Sequence, residues 1–146
     1  MANSVEDYDR QSDTNARGAF FTAQAAAEQG NGGRIVFITS DAAVRTYAGL
    51  SVYGMSKAAL KTLTEMLAKE LAAYDITVNA VAPGTTETDL NRAALADPET
   101  RRMLLGSILL GRPGQPDDVA NAVSFLVSPR ASFVTTLAVD GGAAVH

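Results

Sequence analysis

Arg34-Ile35-Val36-Phe37-Ile38-Thr39-Ser40 and Ile76-Thr77-Val78-Asn79-Ala80-Val81-Ala82 are two short apolar runs rich in β-branched residues. Gly30-Asn31-Gly32-Gly33 precedes the first, and Pro83-Gly84 stops the second. Such runs, bounded by breakers, predict strands buried on both faces. Between them, from 51 or 52 to about 74, Ala59, Leu60, Leu63, Met66, Leu67 and Leu71 recur at intervals of three and four. That period predicts a long amphipathic helix, with Lys57, Lys61, Glu65 and Lys69 spaced for charge pairing. Strand, helix, strand is a βαβ unit, which implies a parallel sheet.

The pattern extends outward in both directions. Ser4-Val5-Glu6-Asp7 reads as a capping box with Ser4 as N-cap. It predicts a helical stretch running through Ala16, Phe20, Phe21, Ala23 and Ala27. Residues 41–50 read as a loop. Residues 85–114 read as a flap with one or two short helices. Pro116 opens a helix over 117–127 that Ser128-Pro129 closes, and Leu137-Ala138-Val139 reads as a third strand. The expected fold is α/β: a partial doubly wound, Rossmann-like parallel sheet of about three strands with flanking helices, in a single domain over 1–146. Ser40, Pro83-Gly84 and Asp140-Gly141-Gly142 each follow a strand. They fall at the C-terminal sheet edge, where open α/β sheets bind ligands.

Composition narrows the chemistry. The 146 residues are 47% hydrophobic and 19% charged, which suits a globular chain. The net charge of −4 gives no general attraction to nucleic acid or anionic membrane, so neither is expected as a partner. There is no cysteine, which excludes a thiolate nucleophile and Cys-ligated metal. The single histidine, His146, is the last residue, which argues against a Ser-His-Asp triad and a multi-His site. Residues 1–10 are polar and acidic, unlike a signal peptide, and no apolar run is long enough to span a bilayer. The expected location is the cytoplasm.

Tyr53 and Lys57 stand four residues apart on the long helix and share a face. A lysine charge beside a phenol favours the phenolate, which suits proton exchange with an alcohol or carbonyl near neutral pH. Ser40, at the strand end before this helix, is placed to offer a hydroxyl to the same substrate oxygen. A Tyr-x-x-x-Lys match by itself also describes an ordinary solvated helix face.

Taken together, Ser40, Tyr53-Gly54-Met55-Ser56-Lys57, Asn79-Ala80-Val81-Ala82-Pro83-Gly84 and Val139-Asp140-Gly141-Gly142, in this order, resemble the short-chain dehydrogenase/reductase family. Gly32-Gly33-Arg34-Ile35-Val36 and the run from Gly111-Arg112-Pro113-Gly114 to Asp117-Asp118-Val119-Ala120 are similar to it too, as is Asn15 in Asn15-Ala16-Arg17-Gly18. The resemblance covers nearly the whole chain. It implies that Tyr53 is the general acid/base and that Lys57 tunes it and holds the nicotinamide ribose. Ser40 would orient the substrate. Asn15 would hold a water in a relay to Lys57, although an asparagine there can also simply satisfy backbone at a helix kink. Pro83, Gly84 and Thr88 would line the nicotinamide and phosphate side of NAD or NADP. Residues 85–110 would form the variable substrate flap over a small-molecule alcohol or carbonyl.

The sequence departs from the family in two places. The Gly-x-x-x-Gly-x-Gly turn that seats a dinucleotide pyrophosphate on a helix N-terminus is absent from these residues. Gly30-Asn31-Gly32-Gly33 precedes a strand and is no substitute. The chain therefore resembles the C-terminal part of the family, and weak NAD(P) binding is expected. Second, Phe133-Val134-Thr135-Thr136-Leu137 stands where the family has a Gly-Gln pair. Two other readings remain open: a cofactor-free ester hydrolase using Ser40 with Tyr53 and Lys57, and a non-catalytic, self-associating chain. The uncharged strand Ile35-Val36-Phe37-Ile38 and the two long helices both lead us to expect a homo-oligomer.

Overall fold

The computed structural model describes residues 3–30 and 32–135. The expected third strand, Leu137-Ala138-Val139, and the Asp140-Gly141-Gly142 turn lie outside the described residues. Helix α1 (Val5–Ser12) opens on the expected capping box: Ser4 Oγ accepts from the Asp7 amide at 3.1 Å, and the Asp7 carboxylate accepts from the Ser4 amide at 3.2 Å. A π-helical turn, Asp13–Arg17, joins α1 to α2 (Gly18–Ala27). Strand β1 (Gly33–Ile38), helix α3 (Ser51–Leu71) and strand β2 (Ile76–Val81) form the βαβ unit. Two short helices, α4 (Arg92–Ala96) and α5 (Pro98–Leu105), occupy the flap, and α6 (Pro116–Val127) begins with Pro116 at its first turn.

The strands pair in parallel, from Gly33 opposite Ile76 to Ile38 opposite Val81. The sheet's two faces divide by parity, as the pleat requires. Ile35 and Phe37 of β1, with Ile76, Val78 and Ala80 of β2, meet Leu60, Leu63, Leu67, Ala68 and Leu71 of α3 and Ala19, Ala23 and Ala27 of α2. The alternate positions face the other way, towards α6, whose Leu126 is fully buried. On that side Asn79 Nδ2 donates to the Val134 carbonyl at 3.0 Å. The Thr135 hydroxyl donates to the Val78 carbonyl at 2.9 Å. Asp75, at φ 57° in the left-handed region, turns the chain from the end of the α3 segment into β2.

One expectation needs correction. The β1 run reads as a strand buried on both faces, yet only Phe37 in Gly33–Ile38 is buried, and Ile38 is 44% exposed. Among the described residues β1 pairs with β2 alone. Its α6-facing residues are therefore covered on one side only.

The fully buried Leu126 should respond strongly to truncation. Leu126→Ala is expected to destabilise the fold by about 2–5 kcal/mol, because α6 leaves a cavity against the sheet. Leu90, 86% exposed, should tolerate alanine to within about 0.5 kcal/mol. Urea denaturation of the two variants checks the contrast.

Candidate active site at the carboxyl edge of the sheet

The parallel ladder does not stop at Ile38. The Thr39 amide donates to the Val81 carbonyl at 2.8 Å, and the Asp41 amide donates to the Pro83 carbonyl at 3.1 Å. These bonds seat Ser40 beside the Pro83-Gly84 turn, and so bring two predicted site segments together. Ser40 is extended, at φ −165°, and caps a short 3₁₀ turn, Asp41–Ala43.

Helix α3 enters just above this edge. Its start is held tightly against the 3₁₀ turn, because a Cβ on Gly54 would lie 3.0 Å from the Ala42 carbonyl oxygen. Glycine is the residue that permits so close a backbone approach. From here α3 presents Tyr53 and Lys57 on one face, with the Lys57 ammonium 5.7 Å from the Tyr53 ring centroid. Lys57 Nζ donates to the Ile38 carbonyl at 2.9 Å, which aims the side chain at the sheet edge rather than at solvent. Lys61 behaves differently: it pairs with Glu65 at 2.6 Å on the outer face. Burial pushes the Lys57 ammonium below the usual lysine range, because desolvation penalises the charged form.

Asn15 lies in the π-helical turn, and π-bulges concentrate at functional sites. Its Nδ2 donates to Ser56 Oγ at 3.1 Å, and Ser56 Oγ donates to the Tyr53 carbonyl at 2.8 Å. Asn15 is therefore tied to α3 one residue before Lys57. Ser56, almost fully buried, is a link that the Tyr-x-x-x-Lys reading passes over.

Two further side chains join the site without having been singled out by spacing. Asp41 is buried at 9% exposure, and its carboxylate accepts from Ser40 Oγ at 3.1 Å and from the Tyr47 hydroxyl at 2.6 Å. Burial and the Asp41 carboxylate together push the Tyr47 phenol up to about 12. The available sequence signal was an acidic residue directly after a strand-end serine. The Arg45 guanidinium stands 5.7 Å from the Tyr47 ring centroid.

On the other side of Pro83-Gly84 opens a cleft of about 270 Å³, walled by Val81, Ile108, Leu110 and Val119. Arg112 lies at this cleft and binds Asp118 through two bonds of 2.6 and 3.0 Å. That pairing, with the Gln115 amide, holds the Asp118 carboxyl down at about 2. Thr88 is not in this group. It is exposed and lines a separate depression with Glu87, Asp89, Arg92 and Leu95.

Comparison with known proteins places this arrangement. The family profile described as enoyl-(acyl carrier protein) reductase matches residues 1–144. An L-rhamnose 1-dehydrogenase (NAD(P)(+)) of Azotobacter vinelandii is 44% identical over 139 residues, covering 91% of this chain and 54% of that protein. A cyclopentanol dehydrogenase of Comamonas testosteroni is 40% identical over 95% of this chain and 58% of its own length. A short-chain type dehydrogenase/reductase from Mycobacterium ulcerans superposes with a TM-score of 0.93 at 36% identity, over 98% of this chain and 54% of that one. The angucycline C-6 ketoreductase LanV, solved with bound NADP, gives 0.89 at 32% identity, over 99% and 57%. The chain thus spans between half and three-fifths of the length of these relatives. With a match along almost its entire length, it belongs to the short-chain dehydrogenase/reductase family.

Proposed function

We propose that this chain carries the proton-transfer and substrate-orienting groups of an oxidoreductase that interconverts an alcohol and a carbonyl with NAD or NADP. The observation that carries this reading is the Lys57 ammonium. It is bonded to the last carbonyl of β1 and stands over the Tyr53 ring, at the sheet edge that also holds Ser40. The relatives' names, a rhamnose dehydrogenase and a cyclopentanol dehydrogenase, support the reaction class.

The residues present suit one end of the cofactor. An ammonium has three N–H donors, and Ile38 takes one of Lys57's, which leaves donors for ribose hydroxyls. Pro83 and Gly84 border the cleft where the nicotinamide end would lie. No described strand leads through a Gly-x-x-x-Gly-x-Gly turn into a helix N-terminus, so these residues hold nothing comparable for the pyrophosphate. When bound, NAD(P) supplies or accepts the hydride. Tyr53 passes the accompanying proton to or from the substrate oxygen, Ser40 orients that oxygen, and Lys57 fixes the ribose and places positive charge beside the phenol. Asn15, through Ser56, holds the first turns of α3 in register with the π-helical turn. The Ser40 hydroxyl is engaged with Asp41 rather than with Tyr53 or Lys57. That favours an orienting role over a serine nucleophile activated by lysine.

We also assign the chain a homo-oligomeric state. β1 pairs on one side only among the described residues, Ile38 is 44% exposed, and Ile35-Val36-Phe37-Ile38 carries neither charge nor proline to discourage pairing.

Three outcomes are expected. Tyr53→Phe should abolish alcohol–carbonyl turnover, by about 10²–10⁴-fold, and leave the circular-dichroism spectrum unchanged; turnover equal to the parent would overturn the assignment. Titration of the 146-residue polypeptide with NADH and NADPH should show weak, unsaturated binding at micromolar concentration, against tight stoichiometric uptake if the pyrophosphate has a seat. Light scattering at micromolar concentration should give a mass that is a multiple of the chain's; a stable monomer would remove the oligomer.

A further inference from the structure

A guanidinium has five N–H donors. The Arg45 guanidinium takes part in no ion pair among the described residues, and its Nη1 is buried without a hydrogen-bond partner. It lies beside the Tyr47 ring, 5.7 Å from the centroid, a contact that uses none of its donors. Arg34 differs. Its Nε is also unpartnered, but its Nη1 donates to the Gly33 carbonyl at 2.7 Å. A buried charged donor that no protein group meets is costly. A ligand that brings an acceptor to Arg45 recovers that cost.

Arg45 borders a depression of about 380 Å³ between the 41–50 loop and the start of α3. Its walls are largely apolar, from Val44, Leu50, Met55 and Ala58, and no described acidic residue lines it. Val44, Leu50 and Met55 are each about half exposed, so the depression is open to solvent. Asp41, four residues before Arg45, has its carboxylate occupied elsewhere, by the Ser40 and Tyr47 hydroxyls. The Tyr47 phenol, pushed up to about 12, adds no negative charge at neutral pH. Leu50 and Ser51 begin α3, whose first turn has neither a side-chain cap nor an acidic residue. The partial positive charge of that helix end therefore adds to the arginine's. We propose that this depression binds a small organic carboxylate, whose oxygens meet the Arg45 guanidinium and whose hydrocarbon part lies against Leu50 and Met55. The two oxygens of a carboxylate match the planar fork of a guanidinium. An inorganic anion would leave the apolar walls unused, and an apolar molecule would leave Nη1 unpartnered. The depression backs onto the candidate active site, because Ala42 and Gly54 in its wall follow Ser40 by two residues and Tyr53 by one. The inference stands on this geometry and does not need the oxidoreductase reading.

The test is equilibrium binding. Butyrate, butyramide and acetate are titrated into the ¹⁵N-labelled full chain at constant ionic strength, and the Arg45 Nε–H signal and the Leu50 and Met55 amides are the readouts. Butyrate is expected to give saturable shifts at these positions at about millimolar concentration. Butyramide, of the same shape without the charge, should bind at least tenfold more weakly, the worth of a charged hydrogen bond. Acetate, shorter by two methylenes, should bind about tenfold more weakly than butyrate. Arg45→Gln should lower butyrate affinity at least tenfold with an unchanged circular-dichroism spectrum; if that variant misfolds, the three probes on the parent chain decide. A further probe, 4-hydroxybutyrate, separates two sources of the carboxylate. Shifts that spread to Ser40 and Tyr53 mark the far end of a substrate, shifts confined to the depression mark a separate acid, and both support the assignment. The absence of a saturable shift with butyrate would overturn it. So would equal binding of butyramide or of acetate, and so would undiminished binding to a folded Arg45→Gln. Turnover is not the readout, so the result for Tyr53→Phe bears on the oxidoreductase reading alone.

Discussion

A single hydrogen bond, from the Lys57 ammonium to the Ile38 carbonyl, fixes the relation between the chemistry and the scaffold. Ile38 is the last residue of β1, and Lys57 lies two turns inside α3. Lys57 gives this carbonyl a hydrogen-bond donor, and a backbone acceptor left without one at a partly covered edge is costly. The lysine satisfies it and in exchange gives up hydration, which is why its ammonium sits below the usual range. Once this tie is made, the azimuth of α3 is set. Tyr53 must then lie one turn earlier on the same face, with its ring beside the Lys57 ammonium. The Gly54–Ala42 approach fixes the height of the helix, and the Asn15–Ser56 bond fixes its position relative to α1 and α2.

Much of this was legible from residues alone. The 3.6-residue period of Leu60, Leu63, Leu67 and Leu71 points to α3, and the breakers around the two apolar runs point to the strands. Those signals are local and repeat several times. Ser40 and Pro83-Gly84 could be placed at one sheet edge because parallel topology puts every strand's carboxyl end on the same side, and Tyr53 and Lys57 could be placed on one helix face by their spacing of four. Two kinds of information were not legible. Burial on a sheet depends on neighbours: Ile38 reads as core from its own side chain, and its exposure follows from what does or does not pair beside it. Hydrogen-bond direction depends on three-dimensional partners: nothing in the spacing says that Ser40 donates to Asp41 or that Tyr47 closes the chain from six residues away. Thr88 shows the same limit. The family resemblance groups it with Pro83-Gly84, but the chain bridges to Gly114 at Thr86, and Thr88 beyond that bridge lines a different depression.

The polar groups of the site form two short relays rather than one network. One runs from Asn15 through Ser56 to the Tyr53 backbone; the other runs from Tyr47 through Asp41 to Ser40. Each ends on a residue of the candidate site, and each approaches from a different element. Buried polar groups of this kind are costly when half-satisfied. Here the donors and acceptors are matched along both chains, so the hydroxyls are held in place by bonds rather than by packing alone.

The flap is stitched at its base. The Thr86 and Gly114 backbones form an isolated parallel bridge, the Glu87 amide donates to the Gly114 carbonyl at 2.8 Å, and Gln115 reaches the Glu87 carboxylate at 2.7 Å. The entropy of closing this loop is therefore met at its neck, where it rises only slowly with the length above. Residues 88–111 can lengthen, shorten or change composition while the strand ends below stay where they are. Such a neck separates the part of a protein that evolution can edit for a new substrate from the part it must leave alone.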